Sequence, residues 1–130
     1  MANRYGEAAL LASAPQKLKL PPRVRWQTAM NELYPSSAAA REKGGPRNAY
    51  LGLCEAGMVV GVSTKEDAAS RKSMNYAVRA AELLLANQQH WSISALWSAV
   101  CDDPKRKHTG QMDVVMALYK NHRLQEAKPE

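Results

Sequence analysis

Ser92-Ile93-Ser94-Ala95-Leu96-Trp97-Ser98-Ala99-Val100-Cys101 decides the fold class, because its larger apolar residues fall at Ile93, Leu96, Trp97, Val100 and Cys101. The spacing i, i+3, i+4, i+7, i+8 lays one apolar stripe along an α-helix, whereas in a strand alternate residues would share a face. Ser92 stands where an N-cap hydroxyl is wanted. The pattern returns at Met112, Val115, Met116 and Tyr119, with Thr109 as the expected N-cap. The intervening loop, residues 102–108, carries Asp103-Pro104 and the run Lys105-Arg106-Lys107.

Working back toward the N-terminus, Met74, Ala77, Val78, Ala81, Leu84 and Leu85 form the stripe of the longest element. A capping-box spacing, Ser63 to Glu66, opens it, it reaches about Gln89, and a break is possible within residues 70–73. Residues 58–62 read as a brief extended link. A helix over 47–55 presents Ala49, Tyr50 and Leu53 together and stops at Gly57. Pro46 suits its first turn, and Gly44-Gly45 breaks it from a short helix capped by Ser36 or Ser37. A further helix over 25–33 points Trp26, Met30 and Leu33 inward and is stopped by Pro35. From Pro15 to Trp26, Leu18, Leu20, Val24 and Trp26 alternate with Lys17, Lys19, Arg23 and Arg25 around Pro21-Pro22. That alternation predicts an extended connector with its basic side chains outward. Tyr5, Ala8, Ala9 and Ala12 make the face of a first short helix.

The expected architecture is therefore all-α: a compact single-domain bundle of six or seven unequal helices with an extended Pro-rich connector. It spans residues 1–122, with a frayed tail at 123–130. At 130 residues, with 45% hydrophobic and 23% charged residues, the chain has the composition of one ordinary globular domain. No apolar run approaches the roughly 20 residues of a membrane span, and the apolar residues 8–12 are too few for a secretion signal. A cytoplasmic protein without a membrane partner is expected. Cys54 and Cys101 lie in helical patterns without metal-ligand spacing and read as buried thiols, so neither a metal nor a cofactor is expected.

Lys43-Gly44-Gly45-Pro46-Arg47-Asn48-Ala49-Tyr50-Leu51-Gly52-Leu53-Cys54-Glu55-Ala56-Gly57-Met58-Val59-Val60-Gly61-Val62 resembles the most distinctive stretch of an uncharacterised bacterial family of small proteins. The opening Tyr5-Gly6-Glu7-Ala8-Ala9 is similar to that family's start. The resemblance implies bacterial origin and a shared fold, and it carries over no catalytic residue.

Three features bear on function. The Gly44-Gly45-Pro46-Arg47 turn opens a helix, where free N–H groups and the helix dipole receive anions, with Lys43 and Arg47 beside them; its structural reading is a helix corner with surface charge. It is neither GxGxxG nor GxxxxGK[ST]. Basic charge is the second feature. Arg4, Lys17, Lys19, Arg23 and Arg25 against Glu7 and Glu32 carry half of the net charge of +6, and Lys105, Arg106 and Lys107 form another patch. Such residues meet phosphates or an acidic protein face, or simply solvate the surface. The third is aromatic. Trp97 and Tyr119 read as core at helical spacing, whereas Trp26 and Trp91 sit at element boundaries and are the expected interface anchors.

His90, His108 and His122 show no catalytic or metal spacing, Asp102-Asp103 reads as a polar loop, and no helix-turn-helix geometry is convincing around Gly44. The sequence thus favours a non-enzymatic module that binds a protein partner or itself. The alternative is a small nucleic-acid-binding protein contacting phosphates through Lys17, Lys19, Arg23, Arg25 and Arg47.

Overall fold

A computed structural model describes residues 4–14, 20–60, 71–86, 89–101, 105, 108 and 110–125. Among them run seven helices: α1 (Tyr5–Ala12), α2 (Pro22–Leu33), α3 (Ala38–Arg41), α4 (Gly44–Glu55), α5 (Arg71–Ala86), α6 (Ile93–Val100) and α7 (Gln111–Lys120). The only extended pairing among the described residues is an isolated antiparallel bridge between Val59 and Leu124. The all-α bundle expected from the sequence is what the chain forms.

Local chemistry sets most boundaries where the residue pattern puts them. Ser37 and Ser92 cap α3 and α6 by accepting hydrogen bonds from the Ala40 and Ala95 amides, at 3.2 and 3.1 Å. Gly57 ends α4 at φ 75°, with Gly57 N–H on the Cys54 carbonyl and Met58 N–H on that of Leu53, the paired closure of a Schellman motif. The end of α7 repeats the motif with His122 at φ 60°, donating to Tyr119, and Arg123 donating to Leu118. At the start of α7 the N-cap position is Gly110; Thr109, expected there, lies outside the described residues, as do Ser63 and Glu66.

Four expectations are corrected. The connector ends sooner than alternation suggested, because proline fits the first turn of a helix and α2 begins at Pro22. Its buried stripe becomes Pro22, Arg25, Trp26, Ala29 and Met30, so Leu20 and Val24, expected inward, are exposed. Second, Gly44 and Gly45 do not separate two helices: they form the first turn of α4, which starts there and not at Arg47. Third, the tail does not fray at Arg123. Val60 N–H donates to the Arg123 carbonyl and Gln125 N–H to the Met58 carbonyl, both at 2.8 Å, while the Arg123 guanidinium holds the Ser13 carbonyl at 3.0 Å. Fourth, Cys54 is buried but Cys101 only half so.

These contacts fix helix directions. Tyr5 at the start of α1 and Pro46 in the first turn of α4 both crowd Gly110 at the start of α7: a Cβ there would lie 2.5 Å from Tyr5 Cδ2 and 3.2 Å from Pro46 Cγ. At the other end, Ser13 after α1 and Met58–Val60 after α4 bond to the residues after α7. Helices α1, α4 and α7 are therefore parallel, and their N-termini converge. Helix α2 runs against them, with Arg25 reaching Tyr50 on α4 and Tyr34 accepting the Arg4 amide at the start of α1.

Candidate anion-receptive site

The convergence of three N-termini gathers three partial positive charges at one end of the molecule. In α1 and α7 a first-turn acid, Glu7 and Asp113, offsets the dipole; α4 has none. Its N-cap residue, Lys43, is exposed and makes no side-chain cap, and Pro46 has no N–H, so the Gly44 and Gly45 amides are left with no acceptor inside the helix.

Two side chains add donors to this turn. Arg47 is half-buried, its Nε is fully buried without a partner, and among the described residues no hydrogen bond or ion pair holds its guanidinium. Asn48 is 6% exposed, and the atom it leaves without a partner is its acceptor Oδ1, not the Nδ2 that faces this turn. Both turn toward Gly44: Arg47 Nη2 and Asn48 Nδ2 lie 3.6 and 3.7 Å from the point a Cβ on Gly44 would occupy. Lys43, Gly44, Gly45 and Arg47 stand together at this helix start, where the sequence makes them neighbours. Asn48 was missed, and the cue for it lay in the helical position directly after Arg47, where a polar residue interrupts an otherwise apolar face.

Of the wider basic surface expected from the sequence, Arg25 is the one member the structure corrects. Arg23 and Lys105 are exposed, while Lys17, Lys19, Arg106 and Lys107 lie outside the described residues. Arg25 is not surface at all: it is 1% exposed, because its place on the α2 stripe turns it inward. Its Nη2 donates to Tyr50 Oη at 3.1 Å and to Cys54 Sγ at 3.8 Å, Ser13 Oγ shares Tyr50 Oη at 3.1 Å, and the Arg25 Nε has no partner. Burial holds the Tyr50 phenol well above its ordinary range, so it stays neutral.

Trp26 is also corrected. It is 1% exposed and stacks on Tyr50 with centroids 5.4 Å apart, which makes it core and not an interface anchor. Trp91 is half-buried and lines a cleft of about 290 Å³ with Leu84, Gln89, His90, Met116, Tyr119 and Lys120. That cleft belongs to the C-terminal half of α7, at the opposite end from Gly44. Of the histidines, His108 accepts the Met112 amide through Nε2 at 3.0 Å, which requires the neutral ring. Burial pushes its pKa down, against the pull of Asp113. The 3.8 Å approach of Asp113 to the same Nε2 is therefore not an ion pair while that bond stands.

Among the described residues no three His, Cys, Asp or Glu side chains are grouped to hold a metal ion, and no helix is long and apolar enough to cross a membrane. Fold and site together define a small all-α bundle with an uncapped, donor-rich helix N-terminus. Residues 2–125 match the Family of unknown function (DUF6979), and the chain belongs to that family. Neither the curated proteins nor the solved structures include a significant match to it.

Proposed function

We propose that this protein is a non-enzymatic interaction module that engages an acidic surface of a protein partner through the end of the bundle where α1, α4 and α7 begin. The observation that carries the reading is the first turn of α4: uncapped amides, no compensating acid, and Arg47 without a partner. An isologous contact of this end with a second copy would set like charges against each other, which favours a different protein as partner. The nucleic-acid alternative loses Arg25, a core residue, from its phosphate-contacting set. Cys54 and Cys101 form no disulfide, which suits a reducing compartment, and we infer a cytoplasmic location.

A photo-crosslinking residue at position 43, compared in cells with the same residue at exposed position 121 at the far end, tests the reading. A discrete protein adduct from position 43, weakened by Arg47→Glu and absent from 121, is expected. Adducts from 121 alone would move the interface to the other end. Duplex DNA binding at about 50 mM salt that collapses by about 200 mM would replace the protein partner with nucleic acid.

A further inference from the structure

We infer that the cleft between residues 89–91 and the C-terminal half of α7 is a ligand site for a small aromatic carboxylate, its ring on Trp91 and Tyr119 and its carboxylate on Lys120. The cleft lies at the far end from Gly44, and the inference does not depend on the docking reading.

Three elements build the cleft, which measures about 290 Å³. Helix α5 supplies Leu84 and α7 supplies Met116, both buried side chains that make an apolar floor. Trp91, in the segment that leads into α6, and Tyr119, on α7, are half-buried: each packs on the core and also lines the cleft. Gln89, His90 and Lys120 are exposed at its rim. The volume stands at the lower end for small-molecule sites, which suits one or two rings and not a dinucleotide.

The chemistry of the lining narrows the class. Indole, phenol and imidazole rings beside a thioether favour a flat π-system, through offset stacking and sulfur–aromatic contact. Lys120 brings a full positive charge that no ion pair among the described residues uses. Gln89, His90, Trp91 and Tyr119 each add a side-chain N–H or O–H, and no Asp or Glu stands among the described lining residues. The backbone carbonyls of Ala117, Leu118 and Tyr119 already accept from Asn121, Arg123 and His122. A cationic ligand therefore finds no anionic partner, and a neutral apolar one leaves the ammonium unused. A carboxylate on a flat ring engages both parts of the lining. Beyond Met116 and Lys120 a shallower furrow continues between α1 and α7, where Glu7 and Asp113 stand. Those carboxylates repel an anion and so keep it on the Trp91 side of Lys120.

The experiment is an NMR titration of the whole chain with indoleacetate, indoleacetamide and octanoate, read at the backbone amides and the tryptophan side-chain N–H groups. With indoleacetate, the Trp91 side-chain N–H and the Tyr119 and Lys120 amides are expected to move saturably, with a Kd of about 2 mM or tighter. Indoleacetamide keeps the shape without the charge, and octanoate keeps the charge without the ring; each should bind about threefold more weakly or worse. Lys120→Gln should abolish the preference for acid over amide at unchanged Tm, because the side chain is exposed. Trp91→Leu should weaken indoleacetate by about fivefold or more. If that variant fails to fold, Lys120→Gln decides the matter. A weaker Kd, or shifts centred on Gly44 and Gly45, overturns the site. Equal affinity for acid and amide, octanoate binding as tightly as indoleacetate, or a preference that survives Lys120→Gln overturns the ligand class and the proposal with it.

Discussion

Arg25 occupies a core position because a helix begun at Pro22 turns every residue at i+3 and i+4 inward, whatever its charge. Neutral dipoles, the Tyr50 hydroxyl and the Cys54 sulfur, surround its guanidinium where a carboxylate would ordinarily stand. A buried cation so solvated is costly, and replacing such groups by apolar ones of similar volume is often neutral or stabilising. Arg25→Met should therefore hold or raise stability in urea denaturation, by up to about 3 kcal/mol, whereas Tyr50→Phe should lower it by about 1–3 kcal/mol by stranding the guanidinium and Ser13. A large loss in Arg25→Met would mean that the cation is worth more than its burial costs. His108 gives a pH signature. Its folded pKa lies below that of the free imidazole, so the stability it confers is complete above about pH 6.5 and falls as acid protonates the unfolded ring first. The urea midpoint of wild type should drop more steeply below that pH than that of His108→Gln; parallel curves would acquit His108. At this scale the sequence was legible in part. Trp26 and Arg25 shared a readable stripe with Ala29 and Met30, but the competing alternation in residues 18–26 hid where the helix begins.

Elements followed their periodicity wherever one stripe ran uninterrupted, as in α6 and α7, and slipped where glycine or proline permits two readings. Gly44-Gly45 has the composition of a break yet starts a helix, since an N-terminal turn tolerates glycine and Pro46 needs no donor there. Gly6 has the opposite character. Nothing in its local sequence marks it, but a Cβ would stand 2.9 Å from the Ala117 Cβ and 3.1 Å from the Asp113 carbonyl oxygen, so α1 and α7 touch through its missing side chain. Because a rigid Cβ and a backbone oxygen, not a flexible tip, are in the way, Gly6→Ala should push the two helices apart and cost about 1–3 kcal/mol despite its better helix propensity. Thermal denaturation measures this directly, and an unchanged or higher Tm would show that the pair has slack. The contrast with Gly44, where a methyl would make only ordinary contacts, separates a glycine that packs helices from one that has room for a side chain.

At the scale of the molecule, three helices distant in sequence run parallel, an arrangement that no local pattern encodes. It arises because α4 and α7 end in the same motif, which turns both chains back so that residues 58–60 and 123–125 meet edge to edge. Propensity reads the last eight residues as a tail, since polar residues around a single leucine have no periodicity; the partner strand, more than sixty positions earlier, is what orders residues 123–125. Leu124 is 9% exposed, and Gln125 adds a side-chain hydrogen bond to the Gly57 carbonyl at 2.9 Å. Ending the chain after His122 removes the Leu124 side chain, two bridging backbone bonds, and the Arg123 and Gln125 contacts to Ser13 and Gly57. A buried leucine contributes about 1.5–3 kcal/mol and each hydrogen bond about 0.5–1.5, so a loss of about 3 kcal/mol or more is expected in urea denaturation. Ending it after Gln125 should cost almost nothing by comparison. The clasp also bears on the anion-receptive end, because it and the Tyr5–Gly110–Pro46 contact tie α4 to α7 at their two ends. Releasing the far clasp should therefore loosen the alignment of N-termini as well, read as greater hydrogen exchange at the amides following Pro46 in the shorter chain. Protection unchanged there would mean that the near contact alone fixes the site.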